Sequence, residues 1–380
     1  MQHQEMPQLE RLERHEGYLA TDPDNLSLLE TVVDLCLSAG LPQRAETHVR
    51  AALERHAGAP GLLAMLGNTM LAQQQWEAAA EIFGDLLARF ADGGLAYNFA
   101  LACLFLGRWQ EGWQALAPYV EAEGATPAPG AVTIALRLLH RLGDLDKASA
   151  LVQRYREAFS QAPAFLGAAS AVRLDDGDLE QAEALSTAAL ACGRNVEALV
   201  VAGSVALART DNDAAVPLFE EALASSATEA RAWAGLGMAS MLRRDLKSAQ
   251  QQLEQAVHFM PGHIGTWHLL AWARLYSNDL AGATAAFETA LGLDRNFGES
   301  HGGMAVVQAM AGQRAEAEAS IARALGLDRD NLSARYARMA LDGDLQDPAR
   351  FHALAMRLLS MREGTFGRSM GDIVQSYQSR

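Results

Sequence analysis

Small residues recur along the chain at intervals of 33 to 36 positions, and further residues follow each of them at fixed distances. An apolar, aromatic or small side chain stands four residues later, as at Phe83, and another stands seven residues later, as at Leu86. Positions i, i+4 and i+7 lie on one face of an α-helix, so the pattern predicts nine helices that each bury one face. The nine small residues are Ala45, Ala79, Gly112, Ala148, Ala182, Ala215, Ala249, Ala283 and Ala317.

A second helix is predicted before each of these nine helices. The position twelve residues before the periodic small residue is itself occupied by a small residue in seven of the nine units. Val33 and Leu136 hold that position in the first and fourth units, and those two helix pairs should pack less closely. An Asp-Leu pair marks the predicted turn in four units, where the aspartate can cap the free amides of the following helix. The seven small residues are Gly67, Ala100, Ser170, Gly203, Gly237, Ala271 and Ala305, and the four aspartates are Asp144, Asp178, Asp245 and Asp279.

Two consecutive units of 34 residues carry the most complete motif, W-x2-L-G followed by A-x3-F and a later small residue. The first has Trp233, Leu236, Gly237, Ala249, Leu253, Ala256 and Pro261, and the second has Trp267, Leu270, Ala271, Ala283, Phe287 and Ala290. On these residues the sequence resembles the tetratricopeptide repeat family. The resemblance implies an all-α, right-handed superhelical solenoid of about nine helix-turn-helix repeats with capping helices.

The predicted organisation has four parts. Residues 1–25 form an N-terminal capping helix, residues 26–331 form nine repeats, residues 332–362 form C-terminal capping helices, and residues 363–380 form a mobile tail. Prolines and glycines in residues 121–130 lengthen one repeat to 36 residues and predict either a bend between two arms or a long surface loop. In the tail, Met370, Ile373, Val374 and Tyr377 form an apolar stripe that would either cap the last repeat or fold on a partner.

Composition narrows the function classes. The formal net charge is −15, from 31 basic and 46 acidic residues, which argues against nucleic acid as a partner. No apolar run approaches the length of about 18 residues that spans a bilayer, and the first 16 residues lack the apolar core of a signal peptide. We therefore expect a cytoplasmic protein, and the near absence of lysine favours a bacterial source. Cys36 and Cys103 fall on inward positions and are predicted to be buried thiols.

The sequence predicts no catalytic, cofactor or metal site. Gly235-Leu-Gly237 is half of a phosphate-loop pattern, but it lies inside a predicted helix. His258, His263 and His268 are five residues apart, whereas metal ligands on one helical face are three or four apart. We therefore expect a protein that is not an enzyme.

The resemblance also implies a concave groove lined by the first helix of each repeat, and two zones of groove residues follow from it. The polar zone faintly resembles the carboxylate clamp of some co-chaperones, because Asn68 and Asn98 stand where clamp asparagines can stand. The clamp lysines are absent, although Arg137 and Arg141 offer charge for an acidic or C-terminal peptide. The polar zone contains Asn68, Tyr97, Asn98, Leu101, Arg137, His140 and Arg141.

The second zone, the apolar zone, favours an amphipathic helix or an extended apolar segment of a partner. Burial of Trp272 between repeats is the competing interpretation. Its predicted partner-binding residues are Met238, Met241, His268, Trp272 and Tyr276.

The leading hypothesis for function is a non-catalytic scaffold or chaperone-like adaptor that holds a partner segment in the groove. One alternative is a structural protein that assembles with copies of itself, and a weaker one is a peptide-sensing regulator.

Overall fold

The computed structural model describes residues 2–343, with side chains from residue 8 onward, and all regular secondary structure in this part of the chain is helical. The chain divides into two compact units, one ending at Val172 and the other beginning at Arg173 within α10. The helices that begin in the first unit are α1 Gln2–Thr21, α2 Leu26–Ser38, α3 Pro42–Arg55, α4 Pro60–Ala72, α5 Trp76–Leu87, α6 Gly93–Leu106, α7 Trp109–Val120, α8 Pro129–Leu142, α9 Leu145–Tyr155 and α10 Pro163–Asp175.

The second unit continues with ten further helices in the described part of the chain. They are α11 Leu179–Cys192, α12 Val196–Ala208, α13 Asn212–Ser225, α14 Ala230–Leu242, α15 Leu246–Phe259, α16 Ile264–Tyr276, α17 Leu280–Leu293, α18 Gly298–Met310, α19 Arg314–Leu327 and α20 Leu332–Leu341. Within each unit, consecutive helices pack as pairs, and the first helix of one pair also contacts the first helix of the next. The first helices therefore form one layer of each unit and the second helices form the other, as expected for a solenoid of helix pairs.

The periodic small residues form the core, as predicted. All nine lie in the second helix of a pair and are buried, and so are all nine residues four positions later. Of the residues seven positions later, only Tyr119 is partly exposed. The sequence repeat therefore corresponds to one structural repeat per helix pair.

Close approach of the two helices explains why the first helix has a small residue. A Cβ placed on Gly67 would lie 2.6 Å from the ring of Phe83, and one on Gly237 would lie 2.5 Å from Leu253 Cγ. Where Val33 and Leu136 replace the small residue, α2 with α3 and α8 with α9 pack less closely than the other pairs that lie within one unit. This prediction from the sequence is confirmed.

The turns between paired helices follow the predicted chemistry. Asp144, Asp178, Asp245 and Asp279 each cap the second helix, accepting a backbone N–H three residues later at 2.9 to 3.2 Å. Gly143 ends α8 in the left-handed conformation, with φ of 73°. Four repeats place other residues in that conformation at the same turn. They are Gln74, Thr210, Arg244 and Asn278, with φ from 59° to 63°.

The N-terminal helix α1 packs on α2 at the position predicted for a cap, with Leu12 and Leu19 buried. Its Glu16 accepts hydrogen bonds from Arg44 and pairs with His48, both on α3. Although burial opposes the effect, these partners leave the pKa of Glu16 below its ordinary value. Helix α1 is thus held against the first helix pair by apolar burial and by an ion pair, and its role as a cap stays a prediction.

Of residues 121–130, those from 121 to 128 join α7 to α8 inside the first unit, and Pro129 and Gly130 begin α8. Arg154 Nη1 donates to the carbonyl oxygen of Glu121 at 2.8 Å, and Tyr155 Oη donates to that of Val120 at 2.7 Å. These bonds from α9 hold the start of the loop, and the bend there stays a prediction. The helix predicted after residue 346 and the stripe from Met370 to Tyr377 lie outside the described residues.

Two of the three thiols are core residues. Cys36 and Cys103 are buried as predicted, and burial raises the pKa of each to about 11. Cys192 is exposed. Among the described helices, none combines the length and apolar character needed to cross a bilayer.

Candidate functional site

The polar zone lies on α4, α6 and α8 of the first unit. Asn98 Nδ2 donates to Asn68 Oδ1 at 2.9 Å, so the two predicted amides face each other across adjacent repeats. Tyr97 is half-buried and packs against Gly130 at the start of α8. Thr133 is buried and donates to the carbonyl oxygen of Pro129, which removes it from the surface. Asn68 is exposed, and Asn98 is half-buried beside it.

The remaining residues of the polar zone differ in exposure. Leu101, Arg137 and His140 are half-buried, whereas Arg141 is exposed. Arg137 and His140 each have an interaction within the folded chain. Two of these three side chains therefore already have a partner within the folded chain.

The second unit contains a cavity of about 450 Å³ on the faces of its first helices. Met238 and Leu242 stand one turn apart on α14 and are 37% and 39% exposed, so both present apolar surface to the cavity. Its volume is within the range of about 300 to 1,000 Å³ typical of ligand sites. The large apolar side chains that form its walls are Leu174, Leu207, Met238, Leu242, Met260 and Leu269.

Polar groups occupy part of the same wall. Arg231, in the first turn of α14, directs its Nη2 to Asp175 Oδ1 at 2.5 Å. Ser204, Thr210 and Thr266 add hydroxyl groups to the lining. Among the described residues that line the cavity, none is acidic, although the whole chain carries a net charge of −15.

His263 lines the cavity and also caps α16. Its Nδ1 accepts the backbone N–H of Thr266 at 3.2 Å and lies 2.8 Å from Thr266 Oγ1. An Nδ1 that accepts a backbone N–H carries no proton, so the neutral ring holds its proton on Nε2. Partial burial lowers the pKa of His263 below 6.5, and the charge of Arg231 lowers it further. At neutral pH the ring is therefore an uncharged donor in the cavity wall.

The apolar zone predicted from the sequence separates into two places. Met238 lines the cavity, with Met241 half-buried on the same helix. Trp272 is half-buried with its ring edge-on to the core residue Phe287 at 6.0 Å, and Tyr276, 63% exposed, lies 6.0 Å from the Trp272 ring. The aromatic pair Trp272 and Tyr276 therefore forms a surface of its own toward the C-terminal repeats.

His268 is not on the open surface where the sequence places it. Only 8% of it is exposed, its Nε2 shares a hydrogen bond of 2.7 Å with Ser300 Oγ, and the rings of Phe287 and Phe297 contact it edge-on. The reason is packing in the next repeat, because α18 covers this position of α16. Burial lowers the pKa of His268 to about 4, so the ring is neutral.

Several cavity residues were not predicted from the sequence. Ser204 and Leu207 stand at the positions that Met238 and Met241 occupy in the next repeat. Leu174 stands at the position of Leu207, one repeat earlier. The expectation that the first helix of each repeat lines the groove, applied to those two repeats, would have identified them. Met260 and His263 follow the end of α15 and could not be found by a rule restricted to first helices.

Residues 206–273 match the tetratricopeptide repeat family. The match covers α13, α14, α15 and most of α16, which include the exposed wall of the cavity. No protein with a curated description matches the sequence. The helix pairs outside residues 206–273 have the same architecture, and the fold is that of an all-α tetratricopeptide-repeat protein.

One solved structure agrees with this assignment of the fold. A chain of the crystal structure of the APC/C hetero-tetramer Cut9–Hcn1 is similar with a TM-score of 0.63 and 14% identity, over 82% of this chain and 63% of that one. The present chain thus spans less than two thirds of that relative. Smaller similarities are found to MamA, with a TM-score of 0.37, 19% identity, and coverage of 41% of this chain and 92% of that one. YrrB, described as a TPR protein with an unusual peptide-binding site, has a TM-score of 0.33, 19% identity, and coverage of 44% and 87%.

Proposed function

We propose that this protein is a non-catalytic scaffold, a chaperone-like adaptor, that binds a segment of a partner protein in the cavity of its second unit. The observation that carries the proposal is the cavity of about 450 Å³ with Met238 and Leu242 exposed in its wall. Repeat proteins of this fold mediate protein interactions, and burial of apolar surface is the main favourable term in such association.

The chemistry of the wall supports a protein segment as the ligand. Unbranched methionine side chains adapt to the shape of a bound group, and Met238 and Met260 supply two of them. Hydroxyl groups and the Nε2–H of His263 lie beside these apolar side chains and can bond to a peptide backbone. A partner segment in an extended or helical conformation would place one apolar side chain in the cavity and its backbone along the polar groups.

A peptide-display selection against the purified chain tests this proposal. A random library selected on the wild type should yield sequences with a large apolar residue, and the isolated peptides should bind in solution. The variant Met238→Glu/Leu242→Glu should lose these peptides by at least tenfold, because each carboxylate replaces apolar surface that a large side chain of the peptide would contact and must itself be desolvated on binding. The matched control is Met310→Glu, which changes a similarly exposed methionine on α18. Equal binding of the peptides by both variants would contradict the proposal.

A further inference from the structure

A second cavity of the second unit, with a volume of about 490 Å³, lies between α11, α12 and α13. We call it the alanine cavity, because Ala202 and Ala206 of α12 form part of its wall. Neither alanine stands at a position expected to face the concave groove, unlike Ser204 and Leu207 of the same helix. The alanine cavity is therefore a different place on the chain from the groove of the first helices.

The sequence explains why this space is empty. Ala202 and Ala206 stand thirteen and nine residues before the periodic small residue Ala215. Among the nine repeats, this is the only one with alanine at both positions. The other eight repeats have a larger side chain at the position of Ala206. These are Cys36, Met70, Cys103, Leu139, Arg173, Ser240, Arg274 and Gln308.

Arg274 shows what fits at the equivalent place two repeats later. Its Nη1 donates to the carbonyl oxygen of Gly282 at 3.2 Å, and its Nη2 donates to Glu254 Oε1 at 2.9 Å. The residues that stand at the positions of Gly282 and Glu254 around the alanine cavity are Ala214 and Thr187, and both line it. The space that is open beside Ala206 is thus filled by an arginine side chain in another repeat of the same chain.

The wall of the alanine cavity also has acceptors for a cation. Asp211 Oδ1 accepts the backbone N–H of Ala214 at 3.0 Å, and no donor among the described residues reaches its Oδ2. Glu183 pairs with Arg209, and the two side chains are 41% and 52% exposed. Such an exposed pair contributes little stability, and a carboxylate has lone pairs for more than two donors. With two carboxylates and one guanidinium group, the wall has an excess of negative charge.

From the alanine cavity and the arginine that fills its counterpart, we infer that this cavity binds an arginine side chain of a partner polypeptide. The methylene groups lie against Ala206 and Leu218, and the guanidinium group lies at Asp211 and Glu183. An arginine side chain has an apolar stem and a charged end, which matches a cavity with both kinds of wall. Its planar donors form paired hydrogen bonds to carboxylate oxygens. This contact goes beyond the proposed function, because it involves neither Met238 nor Leu242.

The test uses the peptide acetyl-Gly-Ser-Gly-Arg-Gly-Ser-Gly-amide and its analogue with citrulline, which has the same shape but no charge. Saturation-transfer difference NMR with the full chain should show the strongest transfer at the arginine methylene protons. Titration should give a dissociation constant at least fivefold lower for the arginine peptide than for the citrulline peptide. Met238→Glu/Leu242→Glu should leave both constants unchanged.

Filling the alanine cavity should remove the binding. Ala206→Arg places in it the residue that Arg274 provides two repeats later, and it should weaken the arginine peptide by at least tenfold. The matched control is Ala184→Arg, which adds the same charge at an exposed position of α11 outside the cavity lining. This control should change the dissociation constant by less than twofold.

Two further variants act on charge alone. Asp211→Asn keeps a residue that caps α13, and it should weaken only the arginine peptide. Arg209→Gln releases Glu183 and should strengthen the arginine peptide by several fold, a gain that a folding defect does not produce. Equal binding of the arginine and citrulline peptides would overturn the inference. So would unchanged binding by folded Ala206→Arg, or loss of binding in Met238→Glu/Leu242→Glu.

Discussion

The ring of Phe219 occupies the space that a side chain at Gly235 would need, because a Cβ added to Gly235 would lie 2.3 Å from Phe219 Cζ. Phe219 belongs to α13 and is fully buried, and Gly235 belongs to α14 and lines the cavity. The same ring also approaches Gly203 on α12. The Phe219 side chain on α13 thus packs closely against both α12 and α14, and it lies behind the cavity wall at Gly235.

Gly235→Ala should destabilise the protein by about 1 to 3 kcal/mol, because a methyl group forced into a packed core displaces the ring or the helix. Chemical denaturation of the two proteins measures this difference. The control is Gly292→Ala on α17, where nothing lies within 4 Å of the added Cβ. That change should leave stability equal or raise it by up to about 1 kcal/mol, because alanine favours a helix over glycine. Equal effects at the two positions would contradict the close packing at Phe219.

Thr210→Gly should stabilise the second unit by about 1 kcal/mol. Thr210 has φ of 63°, a left-handed conformation that a β-branched residue adopts only with strain. Asn278 occupies the equivalent turn with φ of 62°, and asparagine tolerates this conformation. Asn278→Gly should therefore gain less, and the order of the two thermal midpoints checks the argument. A larger gain at Asn278 would contradict it.

Acid should weaken the fold through His268. Burial lowers its pKa from 6.5 to about 4, so above pH 6.5 the ring is neutral in both folded and unfolded chains. As the pH falls from 6.5 to 4, the unfolded chain takes up a proton that the folded protein excludes, and the free energy of unfolding declines. The loss from this residue approaches about 3 kcal/mol at pH 4, at 1.36 kcal/mol for each unit of pKa.

The variant His268→Gln removes the titrating group and keeps a partner for Ser300 Oγ. Its unfolding free energy should vary less between pH 6.5 and 4 than that of the wild type, as measured by urea denaturation at several pH values. Identical pH dependence in the two proteins would show that His268 does not titrate as its burial requires.

Tyr276→Ala tests whether the aromatic pair of Trp272 and Tyr276 mediates association between copies of the chain. With 63% of Tyr276 exposed, its loss should change stability by no more than about 0.5 kcal/mol. Trp272 packs edge-on to Phe287, so Trp272→Ala should destabilise the fold as well. If the pair forms an interface between copies of the chain, sedimentation velocity will show a mass for Tyr276→Ala lower than for the wild type. An unchanged mass would argue against self-assembly through this surface.

The sequence was sufficient to predict the repeat architecture because each repeat specifies its own contacts. Ala249 and Leu253 are buried for reasons visible within one unit of 34 residues, and the aspartate at each turn caps the helix that follows it. The same local logic predicted the looser packing where Leu136 replaces a small residue.

The candidate site was predicted less completely, since its residues come from several repeats at once. His268 lies on a first helix, as expected of a groove residue, yet Ser300 and Phe297 of the next repeat cover it. His263 precedes its first helix and was not expected in the groove, yet it lines the cavity. Exposure at these positions depends on the neighbouring repeat, and a pattern read within one repeat does not contain that information.

The central claim is that the cavity of the second unit is the partner site, and hydrogen–deuterium exchange with a saturating selected peptide tests it most directly. Binding should slow exchange in α12, α14 and the chain from Met260 to Leu269, the segments that supply most of the cavity wall. Exchange in α4, α6 and α8 should remain unchanged. Protection confined to those three helices, or to the surface of Trp272 and Tyr276, would contradict the account.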